Sequence, residues 1–346
     1  MKPTSMKPSL LGGLFTALII ALAFPAASEP VKLKLGTWGP AKSFFYVEVI
    51  DPWIAKVNRD SEGTLEIKHF PGGVLGNPRT IYDSIKNNVA HIGWALPHAV
   101  RGKFVKSSII GLPFGYESGE KGAVAFWRLF EKGLIASDYD EIKLLGLTAW
   151  PAAAIQSSKK KITKLEDLKG MKFRISGGLQ ASTVKQLGGT PVAIRVTQIY
   201  QSLDKGVIDA AWASLTATRP FRIYEVAKYF LNIPLNGAGG MLAMNKDTFE
   251  KLPAKAKAAI AKHSGETLSR QLGRSNDGEV RRVVALLDKR SKSGKAEFYK
   301  LSAAEDARWR AAISPVIDAW VKRTPDGARI LKEFRAEIAA LKAGAK

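Results

Sequence analysis

The chain has 346 residues, 46% of them hydrophobic, no cysteine, and 53 lysines and arginines against 31 acidic residues, a formal charge of +22. This length suits two domains of ordinary size, and the lack of cysteine excludes disulfides and thiol chemistry. A field of this sign steers anions inward at low salt, but the basic residues are dispersed rather than interleaved with aromatics on one element, so no nucleic-acid partner is expected.

In "MKPTSMKPSLLGGLFTALIIALAFPAASEP", Lys2 and Lys7 precede an apolar run from Leu10 to Phe24, followed by the small residues Ala26, Ala27 and Ser28. This is the pattern of a secretory signal peptide, residues 1–28, cleaved after Ser28. The run falls short of the roughly 18 residues of a membrane span, and no later segment approaches that length, so no stable membrane insertion is expected after cleavage. Loss of Lys2 and Lys7, with no acidic residue before Glu29, takes the charge from +22 to +20. The expected location is the periplasm.

"VKLKLGTW" (31–38) alternates as a strand does, "SFFYVEVIDPWIAKVNRDS" predicts a helix ending near Gly63, "TLEIKHF" (64–70) a strand, "NPRTIYDSIKNN" (77–88) a helix and "VAHIGWAL" (89–96) a third strand. This βαβαβ order predicts a largely parallel sheet with helices on its faces. A second unit follows: strands at "IKLLGLTAW" (142–150), "AAIQSSK" and "KFRIS" (172–176), a helix from about Gly178 to Leu187, a strand at "PVAIR" (191–195), a helix near 197–205 and a strand at "GVIDAAW" (206–212). "YFLNIPLNGAGGMLAMN" (229–245) supplies two more strands, and nearly everything after Lys246 reads as helix. Two similar α/β lobes followed by helices predict a two-lobed clamp around a cleft.

The chain lacks a Gly-x-Gly-x-x-Gly after a strand, a phosphate-binding Gly-Lys-Ser/Thr loop and a Gly-x-Ser-x-Gly elbow. His69, His91, His98 and His263 share no metal-ligand spacing and read as surface or core residues. No cofactor, metal or catalytic residue is expected. Trp38, Trp94, Trp150 and Trp212 each fall at or just past the carboxyl end of a predicted strand, where open α/β sheets place their ligand crevice. They either line a cleft or plug the core, whereas Trp53, Trp127, Trp309 and Trp320 read as structural. Arg174 stands at the end of "KFRIS", before Gly177 and Gly178 and a helix. Its guanidinium either forms a bidentate pair with a ligand carboxylate or an internal pair with Asp or Glu. Arg195 and Arg219 are weaker candidates.

In order and spacing, "GGVLGN" (72–77), "DSIKNNVAHIGW" (83–94), "GLPFGY" (111–116), "LEDLKGMKFRIS" (165–176), "LGGTPVAI" (187–194), "IYQSLDKGVIDAAW" (199–212), "YEVAKYF" (224–230) and "MNKDTFEKLP" (244–253) resemble the periplasmic solute-binding subunits of tripartite ATP-independent (TRAP) transporters, the DctP family. The resemblance covers nearly the whole mature chain. It implies a periplasmic-binding-protein-like clamp, two α/β lobes hinged by crossing strands and a long helix, with a helical C-terminal region. Lobe I would comprise 29–151 and about 239–278, and lobe II 152–238 and about 279–346. The arginine of the family's signature corresponds to Arg174, which implies a salt bridge to a ligand carboxylate, an organic-acid cargo and delivery to a membrane permease, without enzymatic activity.

The chain departs from the family where some sialic-acid-binding relatives carry polar groups. It has "WPAAAIQ" in place of a second arginine, Leu96 in place of a glutamate and Ala213 in place of a frequent asparagine, followed by Ser214, a further candidate contact. With Trp38, Trp94, Trp150 and Trp212 nearby, such a pocket favours an aromatic or otherwise hydrophobic monocarboxylate over a sugar acid. The rival functions are a ligand-presenting sensor partner of the same fold, separable by a partner pull-down, and an enzyme on a two-lobe scaffold, which would turn the acid over.

Overall fold

The structure is a computed structural model that describes Met1, residues 29–151 and residues 153–344. Apart from Met1, the expected signal peptide lies outside the described residues. The first lobe opens with β1 (Val31–Gly36), α1 (Asp51–Asp60), β2 (Leu65–Phe70), α2 (Ile81–Lys86) and β3 (Ile92–Ala95). It continues through α3 (Gly119–Glu131) to β4 (Ile142–Trp150). In β1 the pleat sends Leu33 and Leu35 inward and Lys32 and Lys34 to solvent. On α1, Trp53, Ile54 and Val57 form the buried stripe, with Pro52 in the first turn, where its missing N–H costs no helical bond.

The second lobe contains β5 (Ala153–Ser157), β6 (Lys172–Ile175), α4 (Gly178–Gln186) and β7 (Thr190–Ala193). It goes on through α5 (Ile199–Asp204), β8 (Ala210–Ser214), α6 (Ile223–Val226) and β9 (Tyr229–Leu231). The chain then returns to the first lobe as β10 (Ala238–Asn245), α7 (Lys246–Glu250) and α8 (Ala254–His263). The remainder is α9 (Gly265–Lys292), β11 (Glu297–Tyr299), α10 (Ala303–Arg323) and α11 (Gly327–Ala343).

Two sheets result, a five-stranded one in the order β2-β1-β3-β10-β4 and a six-stranded one in the order β11-β9-β5-β8-β6-β7. Strands joined through helices pair in parallel, as β1 does with β2 and β3, and β6 with β7 and β8. The expected parallel pairing holds within the βαβ units, and the crossing strands make both sheets mixed. Because β10 enters the first sheet from the other lobe, it runs antiparallel to both β3 and β4, and β5 runs antiparallel to β8 and β9. The strand β11 is a further departure, three residues in a stretch that reads as helical.

Both faces of each sheet are covered by apolar side chains. Leu33, Trp53 and Ile260 belong to one cluster of the first lobe and Ile85, Phe126 and Leu147 to the other. In the second lobe Phe173 and Trp309 lie in one cluster and Ile199 and Phe230 in the other. The helix α9, 28 residues and about 42 Å long, packs on β4 and α3 at one end and reaches β11 at the other. Asn276 on α9 donates to Thr148 Oγ1 and to the Ala149 carbonyl, both at 3.1 Å, and Tyr116 Oη donates to the Trp150 carbonyl at 2.7 Å. These bonds fasten the point where the first crossing strand leaves its sheet. The helix α10 packs on α4, but α11 lies against α3 of the first lobe, which departs from the expected assignment of everything after 279 to lobe II. Among the described residues no helix is long and apolar enough to cross a membrane.

Candidate functional site

A cleft of about 890 Å³ separates the lobes, with Trp38, Trp94 and Trp150 on the first-lobe side and Arg174 and Ser214 on the second. Its floor is set by strand pleating. In β6, Phe173 faces the core of the second lobe, so its neighbour Arg174 projects from the opposite face. The parallel partners β7 and β8 end beside it and present backbone carbonyls. Arg174 Nε donates to the Ile194 carbonyl at 2.8 Å and Nη1 to the Trp212 carbonyl at 3.4 Å.

Arg174 is only 6% exposed, and among the described residues it has no carboxylate partner. Burial holds its pKa down at about 10, so it remains a cation at neutral pH. The two carbonyls orient the guanidinium without neutralising it, which leaves a buried charge whose desolvation an anion would offset. The helix α4 begins four residues beyond, at Gly178 after Gly177, with no side chain capping its amides. Gln180 Oε1 instead accepts from the Ser176 amide at 2.8 Å and from its hydroxyl at 2.9 Å, which stiffens the turn.

The first lobe contributes an aromatic wall. Trp94 meets Phe45 at 4.3 Å between centroids and Trp150 edge-on at 6.0 Å, while Trp38 Nε1 donates to the Trp94 carbonyl at 3.0 Å. Trp94 is almost wholly covered and offers the cleft only an edge; Trp38 and Trp150 are half-buried. Gly240 on β10 makes room for this cluster, since a Cβ there would lie 2.6 Å from Trp94 Cζ2 and 2.8 Å from Trp150 Cη2.

Trp212 is not a cleft residue, which corrects the expectation for it. The alternation of β8 places its indole on the same face as Phe173, edge-on at 6.0 Å and fully buried, and only its carbonyl reaches Arg174. Ser214 does line the cleft, with its Oγ accepting from the Thr216 amide at 3.3 Å and capping a short turn. Arg195 lines the cleft near Gln198, whereas Arg219 pairs with the buried Glu279 of α9 at 3.1 Å. Leu96 and Ala213, the apolar substitutes for polar family positions, both line the cleft.

His98, read from the sequence as a surface or core residue, also lies there. It sits in the turn Pro97–Ala99 that follows β3, and its Cβ is 3.3 Å from where a Cβ on Gly177 would stand. Its place after a strand end was the signal available in "WALPH". Burial first, and then the Arg174 charge, push its pKa down to about 4, so the ring is neutral at pH 7. No cluster of His, Asp and Glu suited to a metal occurs among the described residues.

Comparison with known proteins places this geometry. The family model described as bacterial extracellular solute-binding protein, family 7, matches residues 35–324. The C4-dicarboxylate-binding periplasmic protein DctP of Rhodobacter capsulatus is 24% identical over 352 aligned residues, 95% of this chain and 98% of that protein. A TRAP solute-binding protein from Rhodoferax ferrireducens, solved with copurified benzoate, superposes with a TM-score of 0.85 at 26% identity, covering 91% of this chain and 100% of that one. A marine metagenome TRAP solute-binding protein specific for aromatic acid ligands, solved with 3-hydroxybenzoate, gives a TM-score of 0.84 at 25% identity, covering 90% of this chain and 99% of that one.

Proposed function

Because the chain belongs to the bacterial extracellular solute-binding proteins of family 7, the binding subunits of TRAP transporters, we propose that its cleft captures an aromatic or otherwise hydrophobic monocarboxylate for the membrane permease. The observation that carries this is Arg174, a buried guanidinium without a carboxylate partner among the described residues, facing a wall of indoles. Two solved relatives of the same fold hold benzoate and 3-hydroxybenzoate, which supports an aromatic cargo here.

The acid enters the open cleft and its carboxylate pairs with the face of Arg174 that the Ile194 and Trp212 carbonyls leave free. Its ring lies against Trp38, Trp150 and the edge of Trp94. Covering about 100 Å² of ring surface contributes roughly 2.5 kcal/mol. Closure then excludes water and strengthens the ion pair, so binding and closure reinforce each other. The moving bodies are 29–151 with about 239–278, and 152–238 with about 279–323, with α11 travelling with the first. The protein binds and releases without chemistry, and the leader of residues 1–28 sends it to the periplasm.

Arg174→Lys keeps the charge but loses the planar fork, and titration calorimetry with benzoate is expected to show at least about a tenfold loss of affinity. An unchanged dissociation constant would falsify carboxylate capture by this residue.

A further inference from the structure

The clamp around Arg174 accounts for a carboxylate and a ring, but His98 lies in the same cleft with no part in either. The turn Pro97–Ala99 carries it from the first lobe to Gly177, just before α4 in the second, so it stands where the two lobes meet. A Cβ at 177 would stand 3.3 Å from the His98 Cβ, tight enough that one of the two would have to shift by a few tenths of an ångström. Desolvation and the Arg174 charge both disfavour the imidazolium. A neutral imidazole carries one N–H and leaves a lone pair on the other ring nitrogen.

That lone pair has no side-chain hydrogen-bond partner among the described residues. The polar side chains flanking Arg174 are engaged: Ser176 and Gln180 bond to each other, and Ser214 caps its turn. A carboxylate oxygen would repel the lone pair, and a bare hydrocarbon edge would leave it desolvated and unpaired. A hydroxyl donates to it.

We propose that His98 is a specificity-determining residue that accepts a hydrogen bond from a ligand hydroxyl, which makes the preferred cargo a hydroxylated aromatic monocarboxylate. This rests on carboxylate capture by Arg174 and narrows the substrate class of that same site.

The test titrates ligand-free protein near neutral pH with benzoate, the three monohydroxybenzoates and mandelate, in the wild type, His98→Leu and His98→Phe. Thermal melts of both variants show that each is folded. At least one hydroxylated acid is expected to bind wild type about tenfold or more tighter than benzoate, since a site built around a ligand hydroxyl rejects the analogue lacking it. In the variants this preference collapses to within about threefold, with benzoate bound at least as tightly as by the wild type because no ring nitrogen is left unpaired against it. The proposal is overturned if the wild type shows no hydroxyl preference, or if the preference survives in both variants. It is also overturned if His98 acts as a second cation, seen as benzoate affinity that rises below about pH 6 in the wild type alone. If no acid binds, or Arg174→Lys changes nothing, carboxylate capture itself fails and this inference falls with it. Benzoate binding that depends on Arg174 without a hydroxyl preference sinks this inference alone.

Discussion

A charged residue and a large aromatic at strand ends have opposite fates here, and the pleat decides which. Arg174 and Trp212 lie on neighbouring strands, yet one faces the cleft and the other the core. Both appear in the sequence as strand-end candidates because strand ends are legible, whereas the face is set by a register one residue either way. Trp212→Ala is therefore expected to cost about 3–5 kcal/mol in chemical denaturation, as an emptied core aromatic does. Trp150→Ala, at a half-buried cleft position, should lose much less stability and lower benzoate affinity by about tenfold, the effect of removing one indole contact; equal stability losses would contradict this division. His98 carries a pH signature. Its folded pKa of about 4 lies below the usual 6.5, so between these values the unfolded chain binds the proton and the folded one does not. Stability of the ligand-free protein should fall as pH drops through that window, and less steeply in His98→Leu, as thermal melts at stepped pH would show.

Among the elements, the long helix and the crossing strands make the hinge. The helix α9 approaches α3 where Gly273 faces Gly119, and a Cβ on Gly273 would lie 2.4 Å from the Gly119 carbonyl oxygen. Backbone on the far side cannot turn away as a side chain would. Gly273→Ala is thus expected to destabilise by about 2 kcal/mol or more, the cost of overpacking a closed contact, and wild-type stability in urea would refute it. Most strands and helices were legible because burial on one face imposes period 2 or 3.6 on the sequence. The direction of β10 was not, since "GAGGMLAMN" reads the same whichever neighbours it joins. Nor was β11, whose three residues are too short to show a period and pair only because β9 lies alongside.

For the whole molecule, excess positive charge acquires a location. Arg79, Arg101, Arg195 and Arg323 line the cleft with Arg174, and no Asp or Glu is among its lining residues. A mouth of one sign attracts anionic ligand from solution. Stopped-flow tryptophan fluorescence should show the association rate for benzoate falling severalfold between about 0.01 and 0.15 M salt, where the screening length shrinks from about 30 to 8 Å, with dissociation little changed. An association rate indifferent to salt would count against steering.

By itself the sequence determined the two α/β lobes, the family resemblance and the strand-end place of Arg174, because periodicity and a charged strand end are local properties of the chain. It also carried the apolar bias of the pocket, through Leu96 and Ala213. Only the tertiary structure decided which tryptophans face the cleft, that among the described residues Arg174 is held by two backbone carbonyls and by no carboxylate, and that His98 lines the same cleft. Those outcomes depend on strand register and on where two lobes meet, and residues as far apart as Trp38, His98 and Arg174 come together only when the crossing strands bring the lobes face to face.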